Sequence, residues 1–391
     1  MHSISLTVID FQEILSSLLL GAMSYPQRLR LAGGGSLPAS MRIDAETVTD
    51  LPALVQRACR MFDVAENKII VAGKTLEEWA GAMHRLWSES PLTMTFFTSG
   101  STGEPTPATQ EYSFHVQEVL ALASLFKDRK RIVSFVPRHH IYGFLFSILL
   151  PKAMGCPVLW MPIMPLRSLT DGLQGGDLVI AFPLFWEKLA ELNIDFPRDV
   201  WGVTSTGPCR SEIILNLKSR GLEGMIEVYG SSETGGVGYR RKPDAPYELL
   251  PYWERAAVDN RLTRQHPSNG SFAPYALQDD LTWLQNNHFL PGGRIDKAVQ
   301  VAGVNVYPAR VRNIILEHPF VADCVVRLMR PEEGPKLKAL VVLKKEASAG
   351  MAIDRELSQL LDDKLSHYER PGKLAFCDQL PVNSLGKVQD W

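Results

Sequence analysis

Cysteine is scarce in this sequence: the chain of 391 residues contains five, an odd number, and they are far apart. They stand at Cys59, Cys156, Cys209, Cys324 and Cys377. Such a set argues against a disulfide framework or a zinc site and suits a reducing compartment. We therefore expect a cytoplasmic protein in which each cysteine is a buried small apolar residue rather than a nucleophile.

The sequence also has no apolar run long enough to span a bilayer and no excess of charge. Its most apolar stretch, around Leu18–Leu20, occurs near Asp10 and Glu13 and follows no basic leader. This pattern is typical of an amphipathic helix packed on the body of the protein. The formal net charge of −2 indicates no polyanion-binding surface. We expect neither a membrane nor a nucleic acid among the partners.

What the sequence does contain is a regular alternation of short apolar strands with helical patterns. Hydrophobic residues make up 45% and charged residues 21%, as in ordinary globular proteins. The alternation predicts the α/β class, with a large N-terminal domain of mostly parallel sheets covered by helices on both faces. The strands are predicted at Lys68–Val71, Leu92–Phe97 and residues 131–136, 157–161, 177–182, 200–204 and 225–229, and the helices between the later strands at residues 144–153, 184–192 and 211–219.

After residue 295 the pattern changes to that of a small α+β unit. The preceding residues 240–291 are interpreted as loops and short antiparallel strands. We predict two domains, residues 1–295 and residues 296–391, of which the second is small and mobile. Its predicted elements are a strand or hairpin at Lys297–Tyr307, a helix from Pro308 to Glu317, strands at Val321–Leu328 and Leu337–Leu343, and a helix from Asp354 to about His367.

A segment rich in Gly, Ser and Thr, Thr98–Thr106, joins the strand at Leu92–Phe97 to a helical pattern at Tyr112–Phe126. A strand, a glycine-rich loop and a helix form a phosphate cradle, in which backbone N–H groups and hydroxyls point inward. The loop lacks the ending of a Walker loop, and by itself it fits a polar surface turn equally well. Because ligands bind beyond the carboxyl ends of parallel strands, this loop and the segment after residue 229 should lie on one edge of the sheet.

Four motifs, in one order along the chain, give this loop a context. They are Thr98–Thr106, Val228–Thr234, Gly293–Asp296 followed by Gly303, and Leu380–Lys387. Together they resemble the motifs of the adenylate-forming superfamily: acyl- and aryl-CoA ligases, adenylation domains and luciferases. The resemblance extends over roughly three quarters of the chain, and four motifs in the family's order are far more specific than any one of them.

The resemblance implies a site for ATP and Mg²⁺. It makes Glu233 the Mg²⁺ ligand, because a carboxylate beside phosphates needs a bridging cation, and it places Ser232 on phosphate and Tyr229 against the adenine. Without the motif, Glu233 would be interpreted as a solvated surface residue and Tyr229 as a core aromatic. The implied ATP-binding residues are Thr98, Ser99, Gly100, Ser101, Thr102, Gly103, Gly207, Tyr229, Gly230, Ser232, Asp280 and Arg294.

Three of these residues lie outside the two main nucleotide motifs. Asp280 stands where the family usually has Thr-Gly-Asp and would accept hydrogen bonds from the ribose hydroxyls, although Asp279 replaces the glycine. Ser205–Pro208, which contains Gly207, resembles the family's adenine-side turn, and a plain β-turn fits nearly as well. Arg294 would donate to ribose or phosphate oxygens.

Catalysis is assigned by the resemblance to Lys387, Glu233 and His140. Adenylation accumulates negative charge as a carboxylate attacks the α-phosphorus, and the mobile ammonium of Lys387 would offset it. His140, within Pro137–Gly143, takes the position of the family's His or aromatic residue that walls the acyl pocket. A lone histidine after a strand is more often structural, so both interpretations stand for His140.

The resemblance also implies a hinge and a passage for CoA. Asp296 takes the position at which the small domain pivots, and Gln300 replaces a common lysine of that motif. Gly303 lies where the family passes the pantetheine arm, and a strand bulge is the alternative. The candidate pocket-lining aromatics, Phe182, Phe185 and Trp186, are equally compatible with a core position.

One departure concerns the charge on the triphosphate. Thr106 occupies the position of the lysine that usually follows the loop proline in this family, so one positive charge is missing. Arg240 and Arg241 are the candidates to replace it.

The segment before the loop is short for this superfamily, and Gly303–Pro308 reads Gly-Val-Asn-Val-Tyr-Pro. Both features resemble the compact 4-coumarate-CoA ligases linked to photoactive yellow protein and the aryl activators of bacterial pigment pathways. They imply an aryl-CoA ligase that uses ATP, Mg²⁺ and CoA. The alternatives are an enzyme that loads an aryl acid onto a carrier protein, and a degenerate nucleotide-binding regulator, which Thr106 and Gln300 suggest and Lys387 and Glu233 oppose.

Overall fold

The fold is taken from a computed structural model of the chain. Contacts divide the chain into two compact units, which are described separately. The first comprises residues 1–97, 107–277 and 281–291, and the second residues 98–106, 278–280 and 292–391. The predicted boundary between residues 295 and 296 stays a prediction. The residues that the structure describes are 4–24, 27–28, 31, 35–44, 48, 50–90, 92–98, 106–161, 172–192, 194–256, 261–344, 351–381 and 391.

The first unit begins with the expected N-terminal helix. Helix α1 starts with a capping box, in which Thr7 and Asp10 bond each other's backbone N–H groups. Phe11 stacks on Phe62 with ring centroids 4.4 Å apart, so the helix packs on the body as predicted. None of the helices in the described ranges has the length and apolar character needed to cross a membrane. The N-terminal helices are α1 (Val8–Ala22), α2 (Leu51–Met61) and α3 (Leu76–Ser88).

The strand predicted at Lys68–Val71 is wrong. A short 3₁₀ turn, Glu66–Lys68, occupies its start, and Ile69 and Val71 pack into the core while Ile70 is 76% exposed. A short apolar run has alternating burial both in a strand and in an extended connection, so the sequence pattern could not separate the two.

The predicted phosphate loop stands between two strands that pair with each other, and residues 99–105 of the loop lie outside the described residues. Strand β1 (Thr93–Thr98) pairs with β2 (Thr106–Glu111), and helix α4 (Tyr112–Leu125) begins only after β2. The predicted strand and helix exist, but the prediction that the loop runs directly into the helix is wrong. The prediction that the loop follows a strand of the main parallel sheet is also wrong, since β1 and β2 form a separate sheet.

Within the described residues, the main sheet has nine strands in the order β13-β14-β9-β8-β7-β6-β5-β3-β4. Strands β4, β3, β5, β6 and β7 are parallel neighbours, and β8, β9 and β14 continue the sheet with antiparallel pairing. Its strands are β3 (Arg131–Ser134), β4 (Val158–Trp160), β5 (Asp177–Ala181), β6 (Val200–Thr204), β7 (Leu222–Ser231), β8 (Gly235–Arg240), β9 (Tyr247–Leu249), β13 (Asp279–Trp283) and β14 (His288–Arg294).

Both faces of the parallel half are covered, as predicted. Leu178 and Ile180 of β5 belong to one hydrophobic core, while Val179 and Ala181 belong to another. Successive side chains of a strand point to opposite faces, which explains the continuous apolar run. The helical segments of this part are α5 (Ile141–Gly143), a π-helical stretch (Phe144–Leu149), α6 (Leu150–Met154), α7 (Pro183–Glu191) and α8 (Ser211–Ser219).

Residues 240–291 contain short strands and connections, as expected. In addition to the strands that join the main sheet, three form an antiparallel sheet of their own. They are β10 (Trp253–Arg255), β11 (Arg261–Gln265) and β12 (Phe272–Ala276).

The second unit has the predicted α+β composition. Strands β17 and β18 have the predicted bounds, the first helix begins at the predicted Pro308, and the second begins three residues earlier than expected. The sequence prediction missed β19, which pairs parallel to β18. The elements are β15 (Val299–Val301), β16 (Val304–Val306), α9 (Pro308–Leu316), β17 (Val321–Leu328), β18 (Leu337–Leu343), α10 (Met351–Lys364) and β19 (Lys373–Cys377).

All five cysteines are free, and three of them are buried as predicted. Burial raises the pKa of Cys59 and of Cys324 to about 11 and that of Cys209 to about 12. These thiols are therefore unreactive near neutral pH. Cys156 and Cys377 are only half-buried, so the expectation of burial is wrong for these two.

Candidate active site

The predicted nucleotide motif around Glu233 forms the turn between β7 and β8. The antiparallel register of the two strands shifts at Tyr229 and Gly230, and a side chain at Gly230 would overlap the Gly235 carbonyl. Ser231 and Thr234 close the turn, because the backbone N–H of each donates to the hydroxyl of the other at 3.2 Å. The two residues between them therefore stand at the tip of a closed turn.

Tyr229 lies at the start of this turn in an aromatic group. Its ring centroid is 5.7 Å from that of Tyr247 and 5.5 Å from that of Phe289. The ring is half-buried, so one part of it packs on the core and another part is accessible. Both interpretations of Tyr229, as a core aromatic and as a surface for a planar base, are compatible with this position.

Glu233 is half-buried at the tip of the turn. Gln110 holds its backbone from behind: the Nε2 group donates to the carbonyls of Ser232 at 3.1 Å and Glu233 at 2.9 Å. No cluster of three or more His, Cys, Asp or Glu side chains placed to hold a metal occurs among the described residues. A single carboxylate suits Mg²⁺, which is usually held by one or two protein carboxylates together with phosphate oxygens and water.

The turn after β6 has room for a ligand. The Oγ1 atom of Thr206 is buried and has no hydrogen-bond partner within the part of the chain that the structure describes. A side chain at Gly207 would meet no atom within 4 Å, and Ser205 is fixed by donating to the Val228 carbonyl at 2.8 Å. A buried hydroxyl that lacks a partner beside open space suits a polar ligand. These residues fit the predicted adenine-side turn, whose role stays a prediction.

His140 lies at the start of α5 with an exposed side chain. Its neighbour His139 accepts or donates a hydrogen bond with Ser17 of α1 at 2.9 Å, and the two imidazole rings are 4.5 Å apart. Desolvation, with further contributions from nearby positive groups, holds the pKa of His139 well below its usual value. Desolvation, followed by the nearby Arg57, likewise lowers the pKa of His140, to about 4. Both imidazoles are therefore neutral near pH 7, and His140 is the more exposed of the two.

The candidate pocket aromatics differ in position. Phe185 and Trp186 are core residues, 3% and 0% exposed, so the core interpretation holds for them. Phe182 is half-buried.

In the second unit, Arg294, which was predicted to bind ATP, binds the predicted hinge residue Asp296. The Arg294 guanidinium donates to both carboxylate oxygens of Asp296, at 2.8 and 2.6 Å. Asp296 also accepts from the Ala298 N–H at 3.0 Å and the Tyr307 hydroxyl at 3.1 Å. Hydrogen bonding by Arg294 is the main reason that the pKa of Asp296 is lowered. Asp280 is exposed at the start of β13, and its ribose role stays a prediction.

Gly303 lies in a two-residue turn between β15 and β16, not in a strand bulge. Its φ is 81° and that of Ala302 is 51°. The resemblance implies that a thiol arm passes Gly303, and a bulky residue would obstruct such an arm, so we expect Gly303→Leu to slow thioester formation about tenfold more than adenylation. Pyrophosphate release and thioester formation, measured separately, test this.

Left-handed backbone costs an ordinary residue roughly 1–2 kcal/mol, so Gly303→Leu needs a control for strain. Gly303→Asn is suitable, because asparagine visits this region routinely. Equal losses in the two half-reactions of Gly303→Leu would contradict a role in passing the thiol.

Several predicted residues fall outside the described residues. The Thr98 backbone ends β1. The predicted residues that cannot be placed are Ser99, Gly100, Ser101, Thr102, Gly103 and Lys387.

Arg240 is not available as a replacement for the missing phosphate-loop lysine. It forms a two-pronged ion pair with the buried Glu227, at 2.7 and 2.8 Å, and lies 4.7 Å over the Tyr247 ring. Arg241 is exposed and lies 5.7 Å over the Tyr239 ring.

Sequence reasoning missed a buried polar cluster behind the Glu233 turn. Gln110 of β2, Glu118 of α4 and Arg264 of β11 are 7%, 1% and 0% exposed. Charged residues are almost never fully buried unless they are paired, and a Glu amid the apolar residues of α4 was a signal in the sequence. The guanidinium of Arg264 is 3.9 Å from the Glu118 carboxylate.

Because Glu118 is buried, we predict an unusual dependence of the free energy of unfolding on pH. Burial raises its pKa from 4.5 to about 7, partly offset by Arg264 and the Gly236 N–H. The folded protein therefore holds a proton that the unfolded chain releases between these values. Stability should fall by about 3 kcal/mol as pH rises through this window, since one pKa unit corresponds to about 1.4 kcal/mol.

Denaturation midpoints of wild type and Glu118→Gln between pH 5 and 8 test this prediction; parallel curves would contradict it. The groups facing Glu118 are Arg264 and the Tyr252 hydroxyl. His115 of α4 is buried, and its pKa is lowered to about 3 by burial and by Arg264, so it stays neutral throughout.

Comparison with known proteins identifies the family of the chain, which the geometry of the site alone does not. The family model described as AMP-binding enzyme matches residues 42–256, and that of the AMP-binding enzyme C-terminal domain matches residues 311–387. A 4-coumarate--CoA ligase from Cereibacter sphaeroides is 32% identical over 99% of this chain and 94% of its own. The chain belongs to the AMP-binding enzyme family.

Two further proteins agree with this membership. A 4-coumarate--CoA ligase from Rhodobacter capsulatus is 36% identical to this AMP-binding enzyme over 76% of the chain and 74% of its own. The solved structure of the amide bond synthetase McbA from Marinactinospora thermotolerans matches 97% of the chain and 92% of its own, with a TM-score of 0.64 at 17% identity. The first supports the family, and the second shows the shared fold. The predicted adenylate-forming superfamily and α/β fold are confirmed.

Proposed function

We propose that this AMP-binding enzyme is an ATP-dependent aryl-CoA ligase. Its substrate would be 4-coumarate or a related hydroxycinnamate or hydroxybenzoate. Two relatives named 4-coumarate--CoA ligase, at 32% and 36% identity, support the acid and the thiol. The closed turn that presents Glu233 is the structural observation that carries the proposal, because it fixes a single carboxylate at its tip, and one carboxylate suits Mg²⁺ bound together with phosphates.

The proposed reaction has two steps. A carboxylate oxygen of the acid attacks the α-phosphorus of ATP, the bond to the β-phosphate breaks, and pyrophosphate leaves. The CoA thiol then loses its proton as its sulfur attacks the acyl carbon, and AMP leaves with the electrons of the broken C–O bond. Mg²⁺ neutralises phosphate charge when it is bound with ATP.

Residues of this chain have distinct proposed roles in these steps. Glu233 holds Mg²⁺, Ser232 donates to a phosphate oxygen, and Lys387 offsets charge at the α-phosphate. His140 walls the acyl pocket. Arg294 and the predicted residues of the two nucleotide motifs, Thr98–Thr106 and Val228–Thr234, bind ATP.

We further propose that residues 296–391 move as a small domain about Asp296 between the two steps, and that Gly303 passes the thiol arm. Separating adenylation from thioester formation protects the mixed anhydride from water. The cytoplasm, where ATP and CoA are available, is the proposed location.

A substrate panel tests this function. The purified protein is incubated with ATP and Mg²⁺ and with hydroxycinnamates, hydroxybenzoates or an aliphatic acid, and pyrophosphate is measured with and without CoA. An aryl-CoA product detected by mass spectrometry supports the proposal. If the acyl group were transferred only to a holo carrier protein, that protein would replace CoA as the proposed acceptor. If no acid led to release of pyrophosphate, the proposed enzymatic function would be overturned.

A further inference from the structure

Three buried polar side chains from three different elements converge on the backbone of the Glu233 turn. They are Gln110, Glu118 and Arg264, which together we call the turn clamp. Gln110 faces the turn because alternate residues of β2 point inward, whereas the neighbouring Thr109 points away and bonds the Thr95 hydroxyl at 2.8 Å. None of the three side chains belongs to a motif that carries the family resemblance.

The clamp contacts four backbone positions of the turn. In addition to the two Gln110 bonds, Arg264 Nη1 donates to the Thr234 carbonyl at 2.8 Å. Glu118 Oε1 accepts from the Gly236 N–H at 2.7 Å. The bonds therefore run through the turn from Ser232 to Gly236, on the backbone of the proposed Mg²⁺ and phosphate residues.

Arg264 is itself fixed on several sides. Its Nη2 group donates to the Phe114 carbonyl at 2.8 Å, and its guanidinium lies 4.7 Å over the Tyr252 ring and 5.1 Å over the Trp253 ring. The side chains of Tyr252 and Trp253 also donate to the Gly236 carbonyl, at 2.8 and 2.7 Å. The guanidinium thus has little freedom to follow a displaced turn.

The sequence of the turn accommodates the clamp. A side chain at Gly235, whose φ is 70°, would overlap Glu118 Oε2, and one at Gly236 would come within 2.6 Å of Oε1. Burying a carboxylate and a guanidinium is costly, and replacement of such pairs by apolar residues is often neutral or stabilising. A role in holding a specific backbone conformation accounts for these buried groups better than a contribution to stability alone.

We propose that Gln110, Glu118 and Arg264 are positioning residues for adenylation, which hold the backbone of residues 232–236 so that Ser232 and Glu233 meet the phosphates and Mg²⁺ of bound ATP. This inference rests on the proposed function. The clamp connects two sequence motifs. Strand β2 follows the predicted phosphate loop along the chain, and its residue Gln110 bonds directly to the Glu233 turn. None of the three side chains need touch ATP itself.

Gln110→Met is the sharpest test, because it keeps the length of the side chain and removes both donors to the turn. We expect about tenfold weaker binding of MgATP by calorimetry and a similar rise in the apparent KM for MgATP, as loss of two hydrogen bonds implies. The Mg²⁺ concentration needed for half-maximal adenylation should rise in parallel. The KM for the acid, and thioester formation from a supplied acyl-adenylate, should change less than about twofold.

Thr109→Val is the matched control, since it alters the neighbouring residue of the same strand on the opposite face and should leave MgATP binding unchanged. Equal MgATP affinity in Gln110→Met and wild type would overturn the clamp, as would equal effects on all substrates and both half-reactions. If Gln110→Met does not fold, Gln110→Glu replaces it under the same criteria. Wild type that binds no MgATP would instead overturn the proposed function.

Discussion

Lys387→Ala is expected to abolish adenylation while leaving ATP binding largely intact. Negative charge gathers on the α-phosphate as the acid attacks, and a positioned cation is most valuable in that transition state. Loss of one such electrostatic contact commonly costs about 100-fold to 1,000-fold in rate, which is a nearly complete loss of adenylation. Acid-dependent exchange of pyrophosphate into ATP measures the step, and calorimetry measures MgATP binding.

Two variants separate the role of Lys387 from general effects of charge. Lys344→Ala removes an exposed lysine of the second unit just after β18 and should keep wild-type exchange. Lys387→Ala supplied with a synthetic acyl-adenylate should still form the thioester, because the proposed role of the lysine ends with adenylation. Undiminished pyrophosphate exchange in Lys387→Ala would refute the assignment.

Glu233→Gln should lower the rate of adenylation about 100-fold and raise the Mg²⁺ concentration that half-maximal activity requires. The amide keeps the size of the side chain but removes the charge that is proposed to bind the cation. A 100-fold loss corresponds to about 2.7 kcal/mol of transition-state stabilisation. Adenylation rates over a series of Mg²⁺ concentrations, with ATP held constant, give both quantities.

Glu223→Gln is the matched control for this substitution. Glu223 is an exposed carboxylate on the same strand, β7, and lies away from the turn. If Glu233→Gln showed the same Mg²⁺ dependence and rate as Glu223→Gln, Glu233 would not be the ligand. Excess Mg²⁺ should restore part of the activity in Glu233→Gln, since on the proposed role the substitution would weaken metal binding rather than the fold.

The two variants report on different charges of one step. Lys387 would act on charge that develops during the reaction, so its loss should appear in the rate. Glu233 would act on a cation that enters with ATP, so its loss should appear in both the rate and the metal requirement. This difference distinguishes two site residues from two residues that are merely needed for folding.

Where apolar residues recur in regular patterns along the chain, the sequence predicted the secondary structure well. The strands at residues 177–181 and 200–204 were recognised because a strand buried on both faces is a continuous apolar run. The helix that begins at Pro308 was recognised because proline is suited to the first helical turn. The family was recognised from short motifs whose residue types are dictated by contact with a ligand. Such motifs can be identified in a sequence without a structure.

The sequence could not reveal pairings between distant segments. Residues 106–111 contain Pro and polar residues and lack strong alternation of apolar residues, yet they form β2 by pairing with β1. The candidate cation Arg240 proved to be engaged because Glu227, thirteen residues earlier, faces it across β7 and β8. Arg138 contacts α1, where it donates to the Glu13 carbonyl at 2.9 Å.

By itself, then, the sequence determined the α/β class and the family, and it predicted the residue types that would meet ATP, since each depends on local patterns of a few neighbouring positions. The tertiary structure decided that β1 and β2 pair in a sheet of their own, that Arg240 is committed to an ion pair, and that Gln110, Glu118 and Arg264 surround the Glu233 turn. Those facts depend on which surfaces are brought together and stripped of water, and burial is what turns an ordinary polar side chain into a fixed contact.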